Sequence, residues 1–392
     1  MLEALRGVDP HDPAFVAVER AAAHLRKSAQ KKRRLARKQA SRRRDREAML
    51  GSALAAAHAG TAPDESPRAL RRARRCYVCK QPFRQLHAVY HMLCPICAVR
   101  NARARADIAD LSGRRALVTG GRIKVGFEVA RALLRAGAHV AITTRFPRDA
   151  ARRFADCPER DRLEIHGLDF IDLRSTLAWI DIQLRRGEPL DILVNNAAQT
   201  VHRPPEYYAA LVAAERAALP ASTAPVDSDG LVFDPRPANS WVLGAADVEP
   251  RELVEVHLVN AMAPFLLASR LKPLMLASPF PDRYIVNVSA MEGVFAYPGK
   301  QPHHPHTNMA KAALNMFTRT SAADYVRDGI YMTSVDPGWI SLQNPAPSRP
   351  TDFAPPLDAV DAAARIVAPI LRGVRGEPVA GVLFKDYEPA PW

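Results

Sequence analysis

Between residues 115 and 135 an apolar run ends on two glycines and gives way to a helix-forming stretch. The run is Arg115-Ala116-Leu117-Val118-Thr119-Gly120-Gly121, and the stretch is Gly126-Phe127-Glu128-Val129-Ala130-Arg131-Ala132-Leu133-Leu134. A strand that turns on glycine straight into a helix constrains the fold more than any other segment. Glycines at that junction let the main chain approach a pyrophosphate held at the positive end of the helix dipole. From Gly113 onward, short β-branched runs alternate with Ala/Leu-rich stretches. That pattern predicts an α/β chain with a doubly wound parallel sheet, a Rossmann arrangement, with helices on both faces.

The second predicted strand, Ala138-His139-Val140-Ala141-Ile142-Thr143-Thr144-Arg145, ends in arginine. A carboxylate there would hold the free ribose hydroxyls of NAD, whereas a guanidinium suits a 2′-phosphate. Arg122 and Lys124 add positive charge within the glycine turn. NADP is the expected cofactor.

The charge is unevenly placed. Residues 1–110 hold 24 of the 55 Lys and Arg but only 10 of the 41 Asp and Glu, which leaves 31 of each for the remainder. The net charge of +14 therefore belongs to an N-terminal arm on an otherwise neutral chain. Residues 14–50 contain neither proline nor glycine, and the block from Lys31 to Arg46 is polar on nearly every side, so the arm is read as helical or disordered. Its partner is open between nucleic acid and an acidic protein, through residues 20–75. Tyr77, Phe83 and Tyr90 are candidates for stacking on bases.

Cys76-x2-Cys79 and Cys94-x2-Cys97 stand 14 residues apart, while Cys157 is alone. Each pair can present two thiolates from a tight turn, and two pairs complete a tetrahedral zinc site. Such a closed sulfur shell stabilises and leaves no open position for chemistry. His87 and His91 lie between the pairs and are read as surface or packing residues. No export signal is recognised, and no apolar run approaches the ~20 residues needed to span a bilayer, so a cytoplasmic chain without membrane contact is expected. Three segments result: arm and linker (1–70), a four-cysteine zinc module (71–107), and a dinucleotide-binding domain (108–392).

With these residues in view, about 113 to 385 resembles the short-chain dehydrogenase/reductase family. The family's Thr-Gly-x3-Gly-x-Gly becomes Thr119-Gly120-Gly121-Arg122-Ile123-Lys124-Val125-Gly126, with Lys124 replacing the middle glycine. The resemblance implies that Asp169 contacts adenine and that Asn195-Asn196-Ala197-Ala198 follows the fourth strand. It implies that Asn260 is the structural asparagine, Ser289 the catalytic serine and Lys311 the ribose-binding lysine. Pro337 and Gly338 would then contact nicotinamide. A small-molecule substrate and a homo-oligomer formed through core helices are implied as well.

Two departures stand out. Thr307 occupies the place of the tyrosine that donates a proton in the family, and an aliphatic hydroxyl is far too weakly acidic for that work. Tyr297, His303, His304 and His306 are nearby substitutes, of which His306 is preferred because it adjoins Thr307. The other departure is the span from Asn195 to Asn260, longer than the family's. Residues from about 200 to 245 are read as a substrate lid, with a partner surface or a decorative loop as alternatives. A reductase of carbonyls or imines is expected first, and a non-catalytic NADP-binding regulator second.

Overall fold

The computed structural model describes residues 7, 9–64, 66, 68–217, 226, 231–349 and 353–392. The chain forms two compact units, residues 1–98 and 99–392, and the division falls within one helix.

The first unit begins with α1 (Pro13–Leu50), which takes up the predicted arm as helix. Asp12 caps it, accepting from the Ala14 amide at 2.7 Å, and none of its residues is buried. Next come α2 (Ala53–Ala59) and an antiparallel hairpin, β1 (Ala69–Arg75) with β2 (Pro82–Gln85). A small core forms from Ala55, Ala56, Leu70, Phe83, Leu86, Tyr90 and Leu93. The helix α3 (Pro95–Ala106) carries the division between units.

In the second unit, β3 (Arg115–Thr119), α4 (Lys124–Arg135), β4 (His139–Thr144), α5 (Pro147–Arg153), β5 (Leu163–Gly167) and α6 (Leu173–Arg186) build one half. After β6 (Ile192–Asn195) come α7 (Ala209–Ala217), α8 (Pro250–His257), α9 (Ala263–Arg270) and α10 (Lys272–Leu276). The chain finishes with β7 (Arg283–Val288), α11 (Pro305–Val326), β8 (Ile330–Asp336), α12 (Ala359–Val374), β9 (Leu383–Lys385) and β10 (Glu388–Ala390). The sheet order is β10-β9-β8-β7-β6-β3-β4-β5, parallel except for β10. The predicted doubly wound sheet is present.

Strand alternation sends successive side chains to opposite faces. Ala116 and Val118 of β3 therefore pack with Val129, Leu133, Ile366 and Ile370 of α4 and α12. Leu117 joins Ile180, Leu267, Leu271 and Tyr325 on the opposite face. Because both faces are covered, the central strands read as unbroken apolar runs. The winding reverses between β3 and β6, so Thr119 and Asn195 end adjacent strands beside the crevice where such sheets bind ligands.

One expectation is corrected here. Pro250–Arg270 is long and apolar enough to span a bilayer by length and composition. In the fold one face of it packs into the core through Val256, Ala263, Leu267 and Ala268, while Val254, Met262 and Phe265 are exposed. Of the predicted lid, residues 218–225 and 227–230 lie outside the described residues.

Candidate dinucleotide site and its surroundings

The glycine turn is locked by its neighbours. Thr119 Oγ1 accepts from the Asn196 and Ala197 amides, both at 2.9 Å, and Asn196 Nδ2 donates to the Thr119 and Gly120 carbonyls at 2.9 and 3.3 Å. Gly120 has φ +67°, and a Cβ there would stand 3.0 Å from Ala197 Cα. A Cβ on Gly121 would meet Ile142 at 2.5 Å, and one on Gly126 would meet the Gly120 carbonyl oxygen at 2.2 Å. Lys124 has φ +54°, a left-handed conformation that favours glycine and costs a lysine about 1–2 kcal/mol. Ile123 is the extended residue just before α4.

The expected positive charges divide. Arg122 is buried and donates to Asp149 Oδ2 at 2.6 Å, so its charge is spent inside the protein. Arg145 is exposed, lies 4.3 Å over the Tyr208 ring, and forms no ion pair among the described residues. It lines a cavity of about 540 Å³ together with Asp169, Ser175, Gln199, Tyr208 and Arg251. Asp169 itself accepts from the Ile171 amide at 3.1 Å. This is room enough for a nucleoside, walled partly by the insertion. At the other end of the sheet edge, Gly338 takes φ +87° after Pro337, and its amide donates to Asp336 Oδ1 at 2.9 Å. Asn195 turns inward instead, donating to Asn287 Oδ1 at 2.8 Å.

The insertion packs against the core at two places. Glu215 of α7 accepts from the Arg148 and Asp149 amides at 2.9 and 2.8 Å, capping α5. Trp241 stacks on His304 at the start of α11, with centroids 4.1 Å apart. The described part thus touches elements at both ends of the crevice.

The expected catalytic group is partly assembled. Asn260 sits in a π turn between α8 and α9, where it accepts from the Gln199 amide at 2.6 Å and donates to its carbonyl at 3.2 Å. Thr307, Lys311 and Asn315 fall at i, i+4 and i+8, on one face of α11. Lys311 Nζ donates to the Val288 carbonyl at 2.7 Å in a fully buried position, and the loss of water pulls its amine down to about 8. Ser289 donates to Asn315 Oδ1 at 2.5 Å and is itself buried. Thr307 Oγ1 donates to the His304 carbonyl at 2.8 Å. Both hydroxyls are therefore already engaged with the protein.

His306 lies one residue from Thr307, about 100° around the helix. It faces α8, with Nε2 3.0 Å from Glu252 Oε1. Glu252 belongs to a polar cluster in which Glu255 also meets His202 Nε2 at 3.3 Å and Arg251 at 2.6 Å. His303 and Tyr297 are exposed, and His304 starts α11 with φ +43°. Sequence reasoning missed Glu252, Glu255, His202 and Asn315. Only Asn315 left a signal, its four-residue spacing from Lys311.

In the first unit, the Sγ atoms of Cys76, Cys79, Cys94 and Cys97 all lie within 4.8 Å of one another. The Cys79 and Cys94 sulfurs are 3.7 Å apart, close to the roughly 3.8 Å edge of a tetrahedron with 2.3 Å zinc–sulfur bonds. The Cys94 amide also donates to Cys76 Sγ at 3.3 Å. Burial pushes the Cys94 and Cys97 thiols up, while the Gln81 amide draws the exposed Cys79 thiol down. Neither His87 nor His91 is in that group.

Comparison with known proteins agrees with this geometry. A family model described as short chain dehydrogenase matches residues 114–211, and one described as enoyl-(acyl carrier protein) reductase matches 239–384. The gap between them falls in the insertion. An uncharacterized protein, R665, of Acanthamoeba polyphaga mimivirus is 33% identical over 335 residues, covering 76% of this chain and 71% of that one. A dehydrogenase/reductase SDR family protein 7-like of Anopheles gambiae is 25% identical, covering 62% of each. The structure of an NADPH-bound carbonyl reductase from chicken fatty liver has the same fold. Its TM-score is 0.50 at 20% identity, and the match covers 72% of this chain and all of that one.

Proposed function

The chain belongs to the short-chain dehydrogenase/reductase family, and from that membership we propose that it is an NADP-dependent oxidoreductase reducing a carbonyl or imine. The observation that carries the cofactor choice is Arg145, a guanidinium without a carboxylate partner among the described residues, on a nucleoside-sized cavity at the end of β4. Thr119, Gly120, Gly121, Ile123, Lys124 and Gly126 would hold the pyrophosphate, with Ala197, Asp169, Pro337 and Gly338 along the rest of the edge. The missing Cβ atoms let the turn close tightly against Ala197, Ile142 and the start of α4, the packing that such a turn needs. When bound, the reduced nicotinamide supplies a hydride.

Lys311 is the group best matched to giving the proton. Its ammonium titrates at about 8, whereas the Ser289 and Thr307 hydroxyls are engaged and intrinsically weak acids. One N–H is bonded to Val288, which leaves two to hold and protonate a developing alkoxide. Asn260 keeps the Gln199 loop in place beside the crevice. His306, the donor preferred from sequence, pairs with Glu252.

The same engaged hydroxyls favour a second reading, a non-catalytic NADP-binding regulator tethered to nucleic acid or an acidic protein. Incubating the protein with NADPH and a panel of aldehydes, ketones and cyclic imines separates the two. Turnover supports the first. Tight NADPH binding with no turnover supports the second. Failure to bind either reduced coenzyme would sink both.

The four thiols support a structural zinc. Val254, Met262 and Phe265 on α8 to α9, with Met309 and Met316 on α11, are exposed apolar side chains that support self-association through these helices.

A further inference from the structure

We propose that the first unit is a docking surface for the sugar-phosphate backbone of a double-stranded nucleic acid, bound without regard to base sequence. The charge on α1 is the starting point. Its 38 residues include 13 Lys or Arg and 3 Asp or Glu, on a rod about 57 Å long with no buried side chain. Lys31-Lys32-Arg33-Arg34 alone sweep about 300° around the axis, so no face is free of cations. A helix that lies on a membrane needs a continuous apolar face, which this one lacks.

The helix is also fixed to a second basic element. Asp45 Oδ1 accepts from the Arg71 amide at 2.7 Å and Oδ2 from the Arg72 amide at 3.2 Å. Arg74 Nη1 reaches Met49 Sδ at 2.8 Å. The side chains of Arg71, Arg72, Arg74 and Arg75 on β1 are exposed, so they extend the same basic surface. Most of these cations are arginines, whose planar forks pair bidentately with phosphate. A long, stiff row of positive charge matches a long, stiff row of negative charge. A duplex supplies one phosphate per about 1.7 Å of its axis.

Burial of the aromatics decides between strands. Sequence-tolerant binding of single strands relies on aromatic platforms for stacked bases. Phe83 and Tyr90 lie in the core at 7% and 0% exposure, and Tyr77 is half-buried beneath Lys80 Nζ, 5.0 Å from its ring centre. Phe15, on α1, is likewise only partly exposed, so among its described residues the unit offers many cations and few stacking platforms, which is recognition of backbone and shape. This inference does not depend on the chemistry of the second unit.

The test uses the full zinc-loaded chain and fluorescence anisotropy. The probes are labelled DNA and RNA duplexes of about 17 base pairs, which match the length of α1 at roughly 3.4 Å per pair. A single strand of equal length and poly-glutamate of equal charge serve as competitors. Duplexes of scrambled sequence should bind equally, with affinity falling about 10³-fold between about 50 and 200 mM NaCl for some six phosphate contacts. The tighter of DNA and RNA identifies the natural source. Changing Lys31→Gln, Lys32→Gln, Arg33→Gln and Arg34→Gln together should keep α1 helical by circular dichroism, because glutamine is a good helix former. It should weaken binding about tenfold or more and lower the salt slope by about 2. Equal competition by the single strand or by poly-glutamate, or no duplex binding at all, would overturn the proposal.

Discussion

Gly126→Ala tests whether close packing of main chain, rather than helix propensity, governs the turn. An added Cβ would lie 2.2 Å from the Gly120 oxygen, 2.5 Å from Asn196 Nδ2 and 2.9 Å from the Gly120 carbonyl carbon. Real contacts of this kind are seldom under 3.0 Å, so something must move by most of an ångström. Gly120 cannot yield easily, because Gly121 donates to the Thr143 carbonyl at 3.2 Å and packs on Ile142. Overpacking of this kind costs about 1–3 kcal/mol. Displacing Asn196 weakens its bonds to the Thr119 and Gly120 carbonyls, at about 0.5–1.5 kcal/mol each. Against this, alanine in a helix gains at most about 1 kcal/mol over glycine. The steric side wins, for a net loss of about 3 kcal/mol. Gly187→Ala is the comparison: its φ is +65° with nothing within 4 Å of a Cβ, so only the backbone strain of about 1–2 kcal/mol applies. Urea unfolding followed by tryptophan fluorescence should rank Gly126→Ala well below Gly187→Ala, and calorimetry should show weakened NADPH binding. A Gly126→Ala variant as stable as the parent would refute the reasoning.

Replacing Arg145 with alanine should weaken NADPH binding about 10- to 100-fold while leaving NADH nearly unchanged, since charge-assisted hydrogen bonds contribute about 1.5–3 kcal/mol; equal losses for both coenzymes would remove the 2′-phosphate assignment. Lys311 should set a limb near pH 8 above which kcat/KM falls, and Lys311→Arg should move that limb far to the alkaline side. The sign for stability follows from the same group: its amine is lowered from 10.5 to about 8 on folding, so the penalty is complete below pH 8 and fades as pH rises towards 10.5. Relative to Lys311→Met, which loses the bond to the Val288 carbonyl but carries no titrating amine, the parent should gain about 3 kcal/mol of stability between about pH 7 and pH 10.5. Native mass spectrometry should find one zinc per chain, lost together with the fold of the first unit on Cys94→Ser or strong chelation; a chain that keeps its near-ultraviolet dichroism after complete removal would argue against a structural metal.

The legible parts of this protein are those written in short spans. The strand, glycine turn and helix at 115–135, the alternation behind the sheet, the cysteine pairs and the cation-rich arm all appear where the residues placed them. Each depends on period, spacing or charge density over a few turns of chain, which a sequence displays directly. The insertion was visible as excess length, but its contacts with α5 and with His304 were not.

What tertiary structure alone decided is where each polar hydrogen bond goes. Ser289 meets Asn315 from 26 residues away, Arg122 meets Asp149 from 27, and His306 meets Glu252 from 54. A buried hydroxyl, guanidinium or imidazole takes the partner that packing brings to it, since leaving it unpaired costs more than redirecting it. Residue identity at a familiar position therefore specified a doubly wound α/β frame. Which side chains remain free to act within that frame was settled only when the helices closed over the sheet.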